Sequence, residues 1–107
     1  MASVITTQSG ATADSTVEFT PTIGHNKSGL FQATNVSTDS SPAVCTITLS
    51  GKLAADHEYH TIKAFALTSA NTSTPVTNAA VVTLFPFMKV FADKSSGNVS
   101  MSASILI

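Results

Sequence analysis

Asp56, His57 and His60 stand close together and carry the donor types that bind zinc. A zinc site needs three or four donors in fixed geometry. The remaining histidine, His25, lies far off in a stretch that reads as a loop. The cluster is therefore expected to be a pair of loop histidines beside an acid, with no metal and no cofactor. Cys45 is the lone cysteine, so no internal disulfide can form. A reactive thiol needs an electropositive, partly exposed setting. Cys45 alternates with Ile47 and Leu49, which predicts a buried structural residue instead. The acids Asp14, Glu18, Asp39, Asp56, Glu58 and Asp93 show no pairing that would set two carboxylates across a cleft. No nucleophile, base and oxyanion donors come together, and the expectation is a protein without catalysis.

Phe85, Phe87 and Phe91 offer a different chemistry, the flat apolar surface on which a sugar ring stacks. Pro86 makes the strand irregular between Phe85 and Phe87, which could expose a ring. The polar atoms of Trp and Tyr tolerate a wet edge better, and the chain has no Trp and one Tyr. Core packing is the plainer expectation for the three phenylalanines, with Phe85 and Phe87 as the candidate ligand platform. Asn26, Asn35, Asn71 and Asn98 each open an N-x-Ser pattern of the glycosylation type. Such matches arise readily in a chain so rich in Ser and Thr, and they are discounted.

The elements that would position these residues are strands. Val99, Met101, Ala103, Ile105 and Ile107 alternate with Ser100, Ser102 and Ser104, and successive side chains of a strand point to opposite faces. This predicts a final strand, central or well paired, with one buried and one wet face. Ala43–Leu49 alternates in the same way, with Cys45, Ile47 and Leu49 on one side. Tyr59 to Leu67 is read with Tyr59, Thr61, Lys63, Phe65 and Leu67 on one face. Ser15–Thr20 places Val17 and Phe19 inward and Glu18 outward. Leu30–Val36, Ala79–Leu84 and Phe87–Ala92 complete the strands, with Pro86 bending the chain between the last two.

Thr22–Gly29, Ser37–Pro42, Ser69–Pro75 and Asp93–Asn98 carry the turn residues that separate them. Gly51–Glu58 reads as a loop or a single helical turn. Seven or eight short strands at roughly 8–12-residue spacing are the signature of an all-β sandwich or barrel. The fold expected is a single antiparallel β-sandwich, jelly-roll or immunoglobulin-like, over 15–107. Residues 1–14 form an arm or a short first strand, where Val4 and Ile5 are candidate partner-binding residues.

Composition narrows the partners. Only 10% of the 107 residues are charged, against about 25% in an ordinary soluble protein. The 43% hydrophobic content argues against disorder. A nearly uncharged surface keeps monomers apart poorly, so partners are expected to cover much of it. The five basic residues are the scattered lysines Lys27, Lys52, Lys63, Lys89 and Lys94, and the net charge is −1. They form no basic stripe for nucleic acid. The chain lacks the basic start and apolar run of a signal peptide and any membrane-length apolar stretch.

From Thr46 onward the chain has a recurring cadence. Gly51–Leu53 closes one strand, Tyr59–Ile62 opens an aromatic-Thr-hydrophobic strand, Val76–Ala79 reads V-T-N-A, and Phe87–Val90 reads F-M-K-V. Ser96–Ser102 closes with S-G-N-V-S-M-S. This resembles the small β-sandwich virion structural proteins of tailed bacteriophages, whose strands show a G-S-L-D-G type turn, an F-M-R-V strand and a closing S-G-G-T-V-T-V hairpin. The likeness covers a little over half the chain. Lys89 stands where Arg is common, and Ala54-Ala55-Asp56 replaces a tighter Asp-Gly turn.

The resemblance implies a non-enzymatic particle component assembled in a host bacterial cytoplasm. Its partners would be the major capsid protein or other virion subunits, and a homo-oligomer, a trimer before other cyclic forms, is expected. Two roles follow: a capsid decoration or minor capsid protein that stiffens the coat lattice, or a tail- or head-fibre module that binds host-surface carbohydrate.

Overall fold

A computed structural model describes residues 4–21 and 28–107, and these residues form eight strands. They are β1 (Val4–Ala11), β2 (Ser15–Phe19), β3 (Ser28–Ser37), β4 (Ala43–Lys52), β5 (His60–Ser69), β6 (Val76–Thr83), β7 (Phe87–Ser96) and β8 (Val99–Leu106). One four-stranded sheet has the order β1-β8-β3-β6 and the other β2-β7-β4-β5. Every pairing is antiparallel.

The order follows from one long hairpin rolled up. The chain doubles back on itself so that β1 meets β8, β2 meets β7, β3 meets β6 and β4 meets β5. Joining β3 to β8 and β4 to β7 then wraps the ribbon into two facing sheets. That is the order of a jelly roll. It selects one of the two sandwich types the sequence left open.

Burial follows the alternation. Cys45, Ile47 and Leu49 of β4 are fully buried, as are Met88, Val90 and Ala92 of β7 and Val99, Met101 and Ile105 of β8. Phe31 of β3 stacks on Phe65 of β5 across the sheets, with ring centroids 5.3 Å apart. Each large side chain so enclosed contributes about 1.5–3 kcal/mol relative to exposure. The inner line of β3 turns polar at one end. There Asn35 Nδ2 donates to the carbonyls of Ala43 and Leu67 at 3.0 and 3.1 Å, and the Ser37 N–H donates to Ser69 Oγ at 2.9 Å. These bonds tie β3 to the opposite sheet and exclude Asn35, fully buried, from glycosylation.

Four expectations are narrowed or corrected. Of the arm and the short first strand, residues from Val4 take the strand, and β1 is an edge strand of the sandwich. Gly51 and Lys52 belong to β4, and the reversal after them is a turn closed by His57 N–H donating to Ala54 O at 3.1 Å. Residues 22–27 of the expected Thr22–Gly29 loop, with His25, lie outside the described residues, while Ser28 and Gly29 already belong to β3.

The fourth concerns β5. A register shift opposite Leu49/Ser50 leaves Lys63 beside Leu49 but Thr61 beside Ser50. One extra residue reverses which side chains face out. Phe65 and Leu67 therefore point inward while Thr61 and Tyr59 line the outer face, and Ile62 packs against the core.

Among the described residues two glycines take positive φ, Gly10 at 69° and Gly97 at 75°. Alanine costs about 1–2 kcal/mol in that region whatever the space around it. At Gly10 a Cβ would meet only Ser100 Oγ at 3.5 Å. At Gly97, in the β7–β8 turn, it would run into the Pro42 carbonyl oxygen. Denaturant unfolding is expected to show Gly10→Ala within that range and Gly97→Ala clearly beyond it.

Candidate functional site

The two outer faces of the sandwich differ in chemistry. On the β1-β8-β3-β6 sheet, the register aligns Val4, Leu106, Leu30 and Val81 in one row, a residue from each strand. They are 64%, 37%, 36% and 76% exposed. The next row holds Thr6, Ser104, Gln32 and Ala79, and beyond it come Ser102, Thr34 and Thr77, then Ser100 and Val36. No residue in these rows is charged. Thr34 and Thr77 share a hydroxyl hydrogen bond of 2.9 Å across β3 and β6. A shallow depression of about 270 Å³ lies between Val4, Gln32, Thr34, Ser102 and Ser104.

The outer face of the β2-β7-β4-β5 sheet is wet, aromatic and charged. Thr16, Phe91 and Thr48 form one row, and Glu18, Lys89, Ser50 and Thr61 the next, with Phe87 opposite Lys52 beyond them. Tyr59, just before β5, lies over this surface. The ammonium groups of Lys52 and Lys89 stand 4.4 and 4.5 Å from the centre of its ring. Contacts of this kind contribute about 0.5–1 kcal/mol at exposed sites. Lys52 also donates to Ala55 O at 3.0 Å, which holds the turn after β4 against the same ring.

Tyr59 divides two depressions. The larger, about 470 Å³, is lined by Thr16, Thr48, Ser50, Tyr59, Thr61, Lys89 and Phe91. The smaller, about 290 Å³, takes in Glu18, Phe19, Thr20, Lys52, Ala55, Tyr59 and Phe87. Desolvation, and then the charge of Glu18, push the Tyr59 phenol above its usual range, so it stays a hydrogen-bond donor.

The candidate residues from the sequence separate here. Phe87 and Phe91 project outward with Lys89, because Met88, Val90 and Ala92 take the inner side of β7. The core placement expected for them is corrected by that parity. Phe85 turns the other way, packing on the core against Gly51 and Ile62, so Phe85 and Phe87 form no joint platform. Likewise Val4 faces out in the apolar row while Ile5 packs inward.

Tyr59, Lys52 and Lys89 escape sequence reading because they come from three separate segments. The usable signal was the lone Tyr next to a bulge, and no periodicity reveals a bulge. Asp56, His57 and His60 are exposed on and beside the β4–β5 turn. Among the described residues no group of three His, Cys, Asp or Glu side chains could hold a metal ion, and no helix is long and apolar enough to cross a membrane.

No protein-family model matches the chain, and no curated protein sequence matches it. Among solved structures it is similar to one named "Family 16 Carbohydrate Binding Module-2", at 13% identity. That likeness spans 92% of this chain and 72% of the other, with a TM-score of 0.49. At that level it adds nothing to the strand order given above.

Cys45 is fully enclosed. Desolvation, with a further push from Asp93, raises its thiol to about 11. The native protein is expected to leave Cys45 unlabelled by a thiol reagent at mildly alkaline pH, with labelling only after denaturant is added. Fast labelling of the native protein would show that the β4 seam opens.

Proposed function

We propose that this chain is a non-enzymatic structural protein of a tailed-phage particle, a decoration or minor capsid protein that attaches to the coat lattice. The observation that carries the reading is the outer face of the β1-β8-β3-β6 sheet. It presents an apolar row four strands wide and no charge across the rows behind it. An exposed contiguous apolar patch marks an interaction site, and interface centres are depleted in charged residues. The body measures 44 × 30 × 16 Å, so its broad side is ample for the ~800 Å² per partner of a standard interface. Hydroxyl side chains around the row supply hydrogen bonds at the rim without the desolvation cost of buried charge. The same face suits self-association into a cyclic oligomer, with a trimer as the expected form.

A second reading, a glycan-binding fibre module, is favoured by one observation: the aromatic and hydroxyl-lined depressions around Tyr59 on the opposite sheet. The two readings use different faces and can be tested separately.

Particle association tests the first. Quantitative mass spectrometry of purified particles is expected to find this chain in copies comparable with the major coat protein. A few to tens of copies would move it to the tail or a fibre, and absence would sink the virion reading. Val81→Asp puts a charge into the apolar row at a side chain 76% exposed, so the monomer should remain folded. The variant is expected to lose binding to undecorated capsids by tenfold or more, roughly the effect of about 1.4 kcal/mol. Unchanged binding would remove this face from the proposal.

A further inference from the structure

We infer that the larger depression beside Tyr59 is a binding site for an acidic saccharide, one carrying a uronate or a comparable anionic group. The inference rests on the glycan-binding reading and names its ligand class. The lining supplies an ammonium from Lys89, a phenol from Tyr59 and hydroxyls from Thr16, Thr48, Ser50 and Thr61. It contains no carboxylate and no carboxamide. Ammonium and phenol are donors, and a hydroxyl gives only one hydrogen and accepts through its lone pairs. A neutral sugar is rich in O–H groups and is best met by strong acceptors such as carboxylates. This lining offers none, so the complementary ligand brings its own.

Charge placement supports the same conclusion. The chain carries a net charge of −1, yet Lys52 and Lys89 converge on one ring. Both ammonium groups lie within 4.5 Å of its centre, which keeps them no more than about 9 Å apart. Glu18 is the direct cross-strand neighbour of Lys89, but the Lys89 ammonium lies over Tyr59. Glu18 lines the smaller depression and is absent from the lining of the larger. An anion entering from the Thr48 side meets Lys89 without a carboxylate in the lining.

Shape favours a saccharide over an acidic peptide. A peptide that adds to a β-sheet pairs its main chain with an edge strand. This site lies on the face, over β7 and β4, whose main-chain groups are paired on both sides. Phe91 offers a flat apolar patch between Thr16 and Thr48 in the same row, so a sugar ring can rest on it with hydroxyls at either end. The volume of about 470 Å³ falls in the usual range of small-molecule sites.

Calorimetric titration of the full chain with galacturonate oligosaccharides, neutral galactose oligosaccharides and a poly-glutamate peptide tests the site. The uronate series is expected to bind, weaken with salt, and lose about tenfold in affinity in Lys89→Gln, the effect of one charged hydrogen bond. Thr48→Val should weaken it less. Thermal unfolding checks that both variants, changed only on the outer face, remain folded. Equal binding of neutral and acidic sugars, insensitive to Lys89→Gln, would keep the glycan-binding reading and overturn the acidic ligand. Poly-glutamate binding as tightly as the uronates would reduce the site to a general anion surface and overturn the saccharide. No binding of any sugar would overturn both.

Discussion

The dry seam between the two sheets is the constraint on which everything else depends. Once Ile47, Leu49, Met88, Val90, Met101 and Ile105 are enclosed, the period of two leaves their neighbours no choice but the outside. Lys89 and Phe91 face solvent because Met88, Val90 and Ala92 do not. Leu106 is presented outward because Ile105 is buried beneath it. The outer faces are the complement of the seam.

The seam is not apolar throughout. Toward one end Asn35, Ser37 and Ser69 replace hydrocarbon, and their hydrogen bonds join β3 to β4 and β5. A buried polar group without partners costs more than it contributes, so these bonds fix how the sheets sit on one another. Gln8 does the same from β1, donating to Val90 O at 3.0 Å. Apolar burial supplies most of the stabilisation and tolerates sliding. The amides specify one alignment of the two sheets, while register within the β2-β7-β4-β5 sheet sets Phe87, Phe91 and Lys89 near Tyr59.

The two outer faces then diverge. One sheet spends its surface on Ser and Thr with a single apolar bar, which suits a flat contact with another protein. The other gathers Tyr59, Phe87 and Phe91 with Lys52 and Lys89 around a groove, which suits a small polar ligand. Lys52 and Lys89 hold the Tyr59 ring by attraction to its π face. Two of the chain's five lysines thus meet on one ring.

The alternation of Val99–Ile107 and of Ala43–Leu49 was legible by itself, because burial on one side leaves a two-residue period in the amino acids. So were the bend at Pro86 and the enclosure of Cys45; of the turn expected over Asp93–Asn98 only Gly97 and Asn98 reverse the chain, because β7 continues to Ser96. An all-β sandwich follows from those. Three features were decided only by tertiary structure. The rolled hairpin chose jelly roll over immunoglobulin order, because pairing between strands far apart in sequence leaves no local mark. The bulge in β5 turned Thr61 and Tyr59 outward, because one extra residue reverses parity without changing composition. The row of Val4, Leu30, Val81 and Leu106, and the meeting of Tyr59 with Lys52 and Lys89, exist only once register sets residues from separate strands side by side.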